Sequence, residues 1–262
     1  MTALEIERRA DVAIVRLNRP DKRNAISFNL LHDLLAAARD FKRDRTLRAV
    51  VLCGAGESFS SGIDLADLAD PRRRLWAAWQ LVKPGRSVFQ QAFLVWQELP
   101  VPVLAAIHGH CYGAGLQLAL AADIRFATPD ARLSIMEARW GLVPDMGLTR
   151  SVRGLVRPDV LKELTYTARV VAGSEARDIG LVTHVADDPL GAALALAGEI
   201  AERSPDAVLA ARRVLDAMLH RPQAALRLEK RWQLRLLRGR NAAVARRRGN
   251  APQTPYVPRE YD

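Results

Sequence analysis

Two segments of this sequence place small residues where a strand runs into a helix: Gly54-Ala55-Gly56-Glu57-Ser58-Phe59-Ser60-Ser61-Gly62-Ile63-Asp64 and His108-Gly109-His110-Cys111-Tyr112-Gly113-Ala114-Gly115-Leu116-Gln117-Leu118. Small residues let a backbone approach a ligand, and the first N–H groups of a helix point outward without partners. The amides of Ile63 and Ala114 are therefore placed to polarise a carbonyl, and two such amides on one oxygen make an oxyanion hole. Gln117 follows Ala114 by three residues on the same helical face and leans toward the N-terminus, so its amide is expected near that oxygen. Two carboxylates come next, Glu137 in Ser134-Ile135-Met136-Glu137 and Asp145 in Val143-Pro144-Asp145-Met146-Gly147. On local spacing alone the first closes a capping box and the second is a cap or turn residue. His108 and His110 have no acidic or Cys neighbours at ligand spacing, so no metal is expected.

The elements that must position these residues read as strand, loop and helix units. Residues 3–8 and 12–17 form a hairpin pattern, and a loop from Asn18 to Asn24 leads into a helix over Ser27 to Arg43. Apolar strands follow at Ala49–Cys53, Val101–Ile107 and Ile124–Ala127, with helical stretches from Asp64, around Phe89, Phe93 and Trp96, and over Leu116 to Ala122. Repeated units of this kind predict an α/β fold with a parallel sheet. Beyond about Val185 the pattern is helical, with Arg-rich helices over 205–219 and 222–238 and an irregular tail from Ala251. The aromatic set Phe89, Phe93, Trp96, Trp76 and Trp79 reads first as core and second as the lining of an apolar pocket.

The 262 residues are 49% hydrophobic and 26% charged, ordinary globular usage that excludes wholesale disorder. Leu99 to Ala122 is uncharged, but Pro100, Pro102, Gly109, Gly113 and Gly115 break any single spanning helix, so no membrane segment is expected. Cys53 and Cys111 are expected to be free thiols of a reducing, cytoplasmic compartment. Of the net charge of +10, most sits in residues 203–262, which carry 14 Lys+Arg against 5 Asp+Glu. Such a face suits nucleic acid, an anionic membrane or a phosphorylated small molecule, or is simply a solvated surface.

With both loops and both acids in order, the chain resembles the crotonase family of enoyl-CoA hydratases and isomerases over nearly its whole length. The resemblance runs from Asn18-Arg19-Pro20-Asp21-Lys22-Arg23-Asn24-Ala25 through Phe59 to Asp64, Pro102 to Ala127 and Ser134 to Gly147. It implies a crotonase-like spiral of repeated ββα units over residues 1–195 and a helical C-terminal trimerisation region over 196–262. It implies an acyl-CoA substrate, no cofactor beyond the coenzyme A of that substrate, and a homotrimer or dimer of trimers. By the same resemblance Ile63 and Ala114 hold the thioester oxygen. Ser61 lies along the adenine, Lys22 and Arg23 sit near the CoA phosphates, and Asp64 belongs to the same binding segment.

The reaction then turns on three positions. Hydratases of this family hold and activate water with two glutamates, and Gln117 stands where the first would be; an amide orients water but does not exchange a proton with it. Glu137 matches the second. Asp145 stands where most hydratases have glycine, as in the dienoyl-CoA isomerases, and less closely resembles the nucleophile of the aromatic-CoA dehalogenases. Isomerisation of a 3-enoyl or dienoyl thioester through a held enolate needs one or two carboxylates and is the expected activity, ahead of 2-enoyl-CoA hydration. A catalytically weak acyl-CoA-binding protein and a nucleic-acid-binding protein are the other classes; Trp232 alone in the Arg-rich helices offers stacking, which speaks against nucleic acid.

Overall fold

The computed structural model describes residues 2–262. A hairpin of β1 (Leu4–Arg9) and β2 (Val12–Leu17) opens the chain, followed by α1 (Phe28–Arg43), β3 (Ala49–Gly54), α2 (Leu65–Ala69), α3 (Pro71–Val82) and α4 (Val88–Gln97). The central part comprises β4 (Val103–Ile107), β5 (His110–Tyr112), α5 (Ala114–Leu120), β6 (Ile124–Ala127), β7 (Arg132–Ser134), α6 (Leu148–Ser151), α7 (Pro158–Thr167), β8 (Val171–Ala172), α8 (Gly173–Asp178) and β9 (His184–Val185). Four helices close the chain: α9 (Pro189–Ala201), α10 (Pro205–His220), α11 (Pro222–Arg238) and α12 (Arg240–Arg248).

The main sheet has the order β1-β2-β3-β4-β6-β9, with β1 antiparallel to β2 and the remaining pairs parallel. Side chains alternate between its faces, and both are covered. Ala13, Val15, Leu52, Val103 and Ala105 pack in the larger cluster with α1, α4 and α5, while Ile14, Val51, Leu104 and Ala106 pack under Ala193 and Ala197 of α9. Burial on both faces explains why these strands read as nearly continuous apolar runs. A smaller sheet, β5-β7-β8, lies beside it and supplies the second strand of the ββα units. Its strands of two or three residues are too short to leave a period-two signature, and sequence reading missed them as strands.

Because α9 packs on the main sheet, the division expected at 195/196 falls inside a helix, and the region standing off the sheet begins after Ala201. There α10 and α11 pack through Leu209, Ala210 and Trp232. The tail beyond Arg248 is irregular in backbone, as expected, yet it is pinned. Buried Asp206 accepts the amides of Glu260 (2.8 Å) and Tyr261 (3.3 Å) on one oxygen and Asn241 Nδ2 (2.7 Å) on the other. The Arg259 amide donates to Arg45 O at 3.0 Å, which ties the tail back to the α1–β3 turn. Among the described residues no helix is long and apolar enough to cross a membrane.

Removing the Asp206 carboxylate leaves buried donors without acceptors. Asp206→Ala is expected to destabilise the fold by about 3 kcal/mol in denaturant titration and to expose the last residues to carboxypeptidase; unchanged stability and resistance would refute the pinning role.

Candidate active site

The two strand-to-helix loops are joined by main-chain hydrogen bonds. Ser60 N–H donates to His110 O (2.9 Å), and Tyr112 N–H donates to Ser60 O (3.0 Å), a parallel bridge between Ser60 and Cys111. On the other side Ile26 N–H donates to Gly62 O and Asp64 N–H to Ile26 O, so the backbone on both sides of Ile63 is fixed. The amides of Ile63 and Ala114 have no acceptor among the described residues. They are close together: a Cβ built on Gly62 would lie 3.8 Å from the Ala114 nitrogen and 3.0 Å from Tyr112 O. Glycine is required at this contact, both for that approach and for its φ of +104°.

Ile63 and Ala114 line a cavity of about 670 Å³, together with Ser61, Asp64, Glu137 and Asp145. Glu137 begins a short 3-10 turn, Glu137–Trp140, rather than closing a capping box. Ser134 ends β7 and donates its hydroxyl to Ala168 O, leaving no cap for Glu137 to complete. Asp145 likewise caps nothing, because α6 starts later, at Leu148, with Gly147 in the cap position. Both acids therefore stand in the cavity wall for a reason other than local capping. Burial raises the pKa of Glu137, and Asp145 nearby adds to it, while hydrogen bonds from its own backbone and Gln117 pull the other way. Burial also raises that of Asp145. Raised carboxyl pKa values favour exchange of protons near neutrality.

Gln117 does not itself line the cavity and joins the site through Glu137. It lies behind Glu137, 2% exposed, donating from Nε2 to Glu137 Oε1 (2.6 Å) and accepting at Oε1 from Met146 N–H (3.0 Å). Residues 114–117 form the first turn of α5, and a side chain leaning back from there reaches β7 and the Asp145 loop instead.

Ser61 and Asp64 face the cavity, whereas Lys22 and Arg23 lie on the adjoining exposed turn. Ser61 binds that turn directly, its N–H donating to Arg23 O (2.8 Å) and its hydroxyl to Lys22 O (3.3 Å). The Asp64 carboxylate pairs with Arg19 (2.9 Å) and caps α2 through Ala66 N–H, so its visible work is to hold the loop. Arg19 and buried Asn24, which bonds Ala55 O and Ser58 O, were not singled out from sequence. The Asn18-to-Ala25 segment that contains them was the available signal.

Of the aromatic set, Phe89 lines the cavity and Trp76 packs on it (5.6 Å) and on Phe28 (5.1 Å). Phe93 and Trp96 are core, and Trp79 is 56% exposed. Trp140, Leu142 and Val143 complete an apolar wall that sequence reading missed. The uncharged run from Trp140 to Pro144, just before Asp145, was its trace. His110 Nδ1 lies 3.0 Å from the Ser58 hydroxyl and His108 Nε2 lies 2.9 Å from Gly56 O, both on the loops' outer side, and no metal-binding cluster occurs among the described residues. Cys53 and Cys111 are buried and unbridged; burial lifts the Cys53 thiol to about 11, which keeps it protonated.

Residues 7–238 match the family model described as enoyl-CoA hydratase/isomerase. The chain is 41% identical over 207 residues to the mitochondrial Delta(3,5)-Delta(2,4)-dienoyl-CoA isomerase of Mus musculus, a match covering 74% of this chain and 62% of that protein. It thus spans less than two thirds of the length of that relative. It is 32% identical over 206 residues to the short-chain-enoyl-CoA hydratase of Clostridium acetobutylicum, covering 78% of this chain and 77% of the relative. Among solved structures, an enoyl-CoA hydratase from Bacillus anthracis superposes with a TM-score of 0.89 at 27% identity, covering 99% of this chain and 100% of that one. Pseudomonas aeruginosa DspI superposes with a TM-score of 0.88 at 28% identity, covering 98% and 97%. With a match across its sheet, both loops and both acids, the chain belongs to the enoyl-CoA hydratase/isomerase family and has the crotonase fold.

Proposed function

We propose that this protein moves a carbon–carbon double bond in an acyl-CoA thioester, from the 3-enoyl to the 2-enoyl position or along a conjugated dienoyl chain. The observation that carries the reading is the cavity wall, two half-buried carboxyls beside two unpaired amides, with the neutral Gln117 amide behind one of them. The thioester oxygen accepts from the Ile63 and Ala114 amides, which hold the negative charge when a proton leaves the carbon next to the carbonyl. Glu137 takes that proton. For a 3-enoyl ester Glu137 returns it two carbons along the chain. For a dienoyl ester an initially protonated Asp145 delivers its own proton to the more remote carbon, and Glu137 and Asp145 recover their starting states by exchange with solvent between turnovers. In both cases the enolate electrons move into the conjugated bond.

Family hydratases take a second proton-exchanging group from the position of Gln117, which is an amide with both ends already occupied. That favours isomerisation although one relative is a hydratase. The CoA end of the substrate suits the exposed basic turn at Lys22 and Arg23, next to Ser61. A homotrimer, alone or as a dimer of trimers, is our reading of the assembly; the exposed Leu215, Met218, Leu226, Leu234 and Leu237 of α10 and α11 are the apolar surface it would cover.

Turnover of 2-enoyl-, 3-enoyl- and 3,5-dienoyl-CoA esters, followed by the absorbance of the conjugated thioester, tests this. Isomerisation of the 3-enoyl or dienoyl ester is expected, with Glu137→Gln lowering kcat by about 10² to 10⁴. Asp145→Asn is expected to abolish dienoyl turnover and spare the 3-enoyl shift. Efficient hydration of the 2-enoyl ester with no isomerisation would overturn the reading.

The half-buried acids also carry a stability signature. A carboxyl whose native pKa lies above its unfolded value binds protons more tightly when folded, so its contribution is fully present at low pH and is lost as pH rises through the native titration. Asp145→Asn is therefore expected to raise the Tm at pH 8, with the gain fading below the ordinary carboxyl range, where the wild-type group is protonated in both states. An equal Tm difference at both pH values would contradict the assignment.

A further inference from the structure

Gln117 is the one polar residue of α5, and its two hydrogen bonds are directional. A main-chain N–H only donates, so the Gln117 atom that meets Met146 N–H is the oxygen, and the amide NH₂ is thereby turned onto Glu137. Glu137 Oε1 accepts that bond at 2.6 Å and cannot hold a proton along it. Glu137 Oε2 is buried with no partner among the described residues. Met146 adjoins Asp145, so the same amide links the segments that carry the two acids.

We propose that Gln117 is a positioning residue that assigns the exchangeable proton of Glu137 to Oε2, the oxygen without a partner, and holds the Glu137 and Asp145 segments in register. The catalytic meaning of this rests on the isomerase reading, whereas the proton assignment does not. A carboxylate at position 117 would keep one oxygen on Met146 N–H and set the other against Glu137 Oε1. The two acids would then share a proton between them, drawing it away from Oε2. An acid here therefore favours chemistry in which both groups serve one water, and the amide favours a proton carried by Glu137 alone. The charged group that acts on Glu137 is Asp145; Gln117, reaching it from α5, is neutral.

The test is a pH titration of ligand-free protein labelled with carboxyl-¹³C glutamate, the Glu137 resonance being identified by its loss in Glu137→Gln. Wild type, Gln117→Met and Gln117→Glu are compared. Loss of the donor in Gln117→Met is expected to raise the Glu137 midpoint by about half a unit or more. In Gln117→Glu, which keeps the size of the side chain, two coupled steps separated by more than about one unit are expected. With an isomerised ester, Gln117→Met is expected to lower kcat about tenfold at neutral pH with KM nearly unchanged, and to move the pH profile with the Glu137 midpoint. A Glu137 midpoint that stays at the wild-type value in folded Gln117→Met and Gln117→Glu refutes the proposal, because a purely structural role would lower Tm without moving that titration. If Gln117→Met does not fold, Gln117→Glu decides it: a single unshifted Glu137 step is the refuting result. If no ester is isomerised yet the midpoints move as stated, the reaction assignment fails and the positioning role stands.

Discussion

The main-chain bridge between Ser60 and Cys111 is the constraint from which the site follows. It joins two loops that leave different strands of the parallel sheet, and each loop enters its helix with an amide unpaired. Side chains are nearly excluded from the junction. A Cβ on Gly109 would lie 1.9 Å from Glu57 O, and one on Gly115 would lie 2.6 Å from Ser60 Cβ. The glycines at 62, 109 and 115 therefore serve one contact: any of them enlarged would separate the loops and with them the two amides. Because the donors belong to the backbone, they cost no side-chain ordering when a developing oxyanion is bound.

The acids impose an opposing requirement. A carboxylate in an apolar wall is expensive to bury, and the wall here includes Phe89, Trp140, Leu142 and Val143. The structure satisfies one oxygen of Glu137 through Gln117 and leaves the other unpartnered. That partial satisfaction is what a proton-carrying group needs, since a fully hydrogen-bonded carboxylate would be held ionised and a fully unpaired one held neutral. Gln117 is itself anchored by Met146 N–H, so the position of one buried oxygen depends on three segments distant in sequence.

This dependence explains what was legible in the sequence and what was not. The parallel sheet, α1, α10, α11 and the paired loops were readable because each has a local signature: apolar runs, 3.6-residue spacing or clustered glycine. Ile63, Ala114, Glu137 and Asp145 were placed in one cavity because a family pattern supplied the long-range pairing that spacing cannot. Ser134-x-x-Glu137 by itself pointed to a helix cap, and the structure gives Ser134 to Ala168 instead. Gln117 reaches the site through Glu137 rather than from the cavity wall, since helical phase fixes the face but not which tertiary partner captures an amide. The short strands β5, β7 and β8 left no periodic trace, and the 195/196 boundary falls within α9, which resembles the helices after it in sequence and packs on the sheet before it.

The basic last quarter makes a related point about charge read from sequence. Arg212 of α10 is buried, and its guanidinium donates to Leu99 O (2.5 Å), to Trp96 O (3.4 Å) and to the Asp123 carboxylate (3.1 Å). Asp123 in turn accepts Val103 N–H (2.8 Å), so this one arginine joins the helical region to the end of α4 and the start of β4. Arg259 is equally buried, donating to the carbonyls of Tyr261 and Asp44. Arg248 and Arg240 are committed to Glu202 (2.7 Å) and Glu260 (3.0 Å). Five donors in a rigid fork let arginine collect several carbonyls at once, a task lysine performs poorly. Part of the surplus positive charge is therefore mortar between the sheet and its C-terminal helices rather than field offered to an outside anion, and the formal count overstates the basic surface. The charge that remains open beside the cavity, at Lys22 and Arg23, is small in number but adjoins Ser61, where a phosphorylated thioester would meet it.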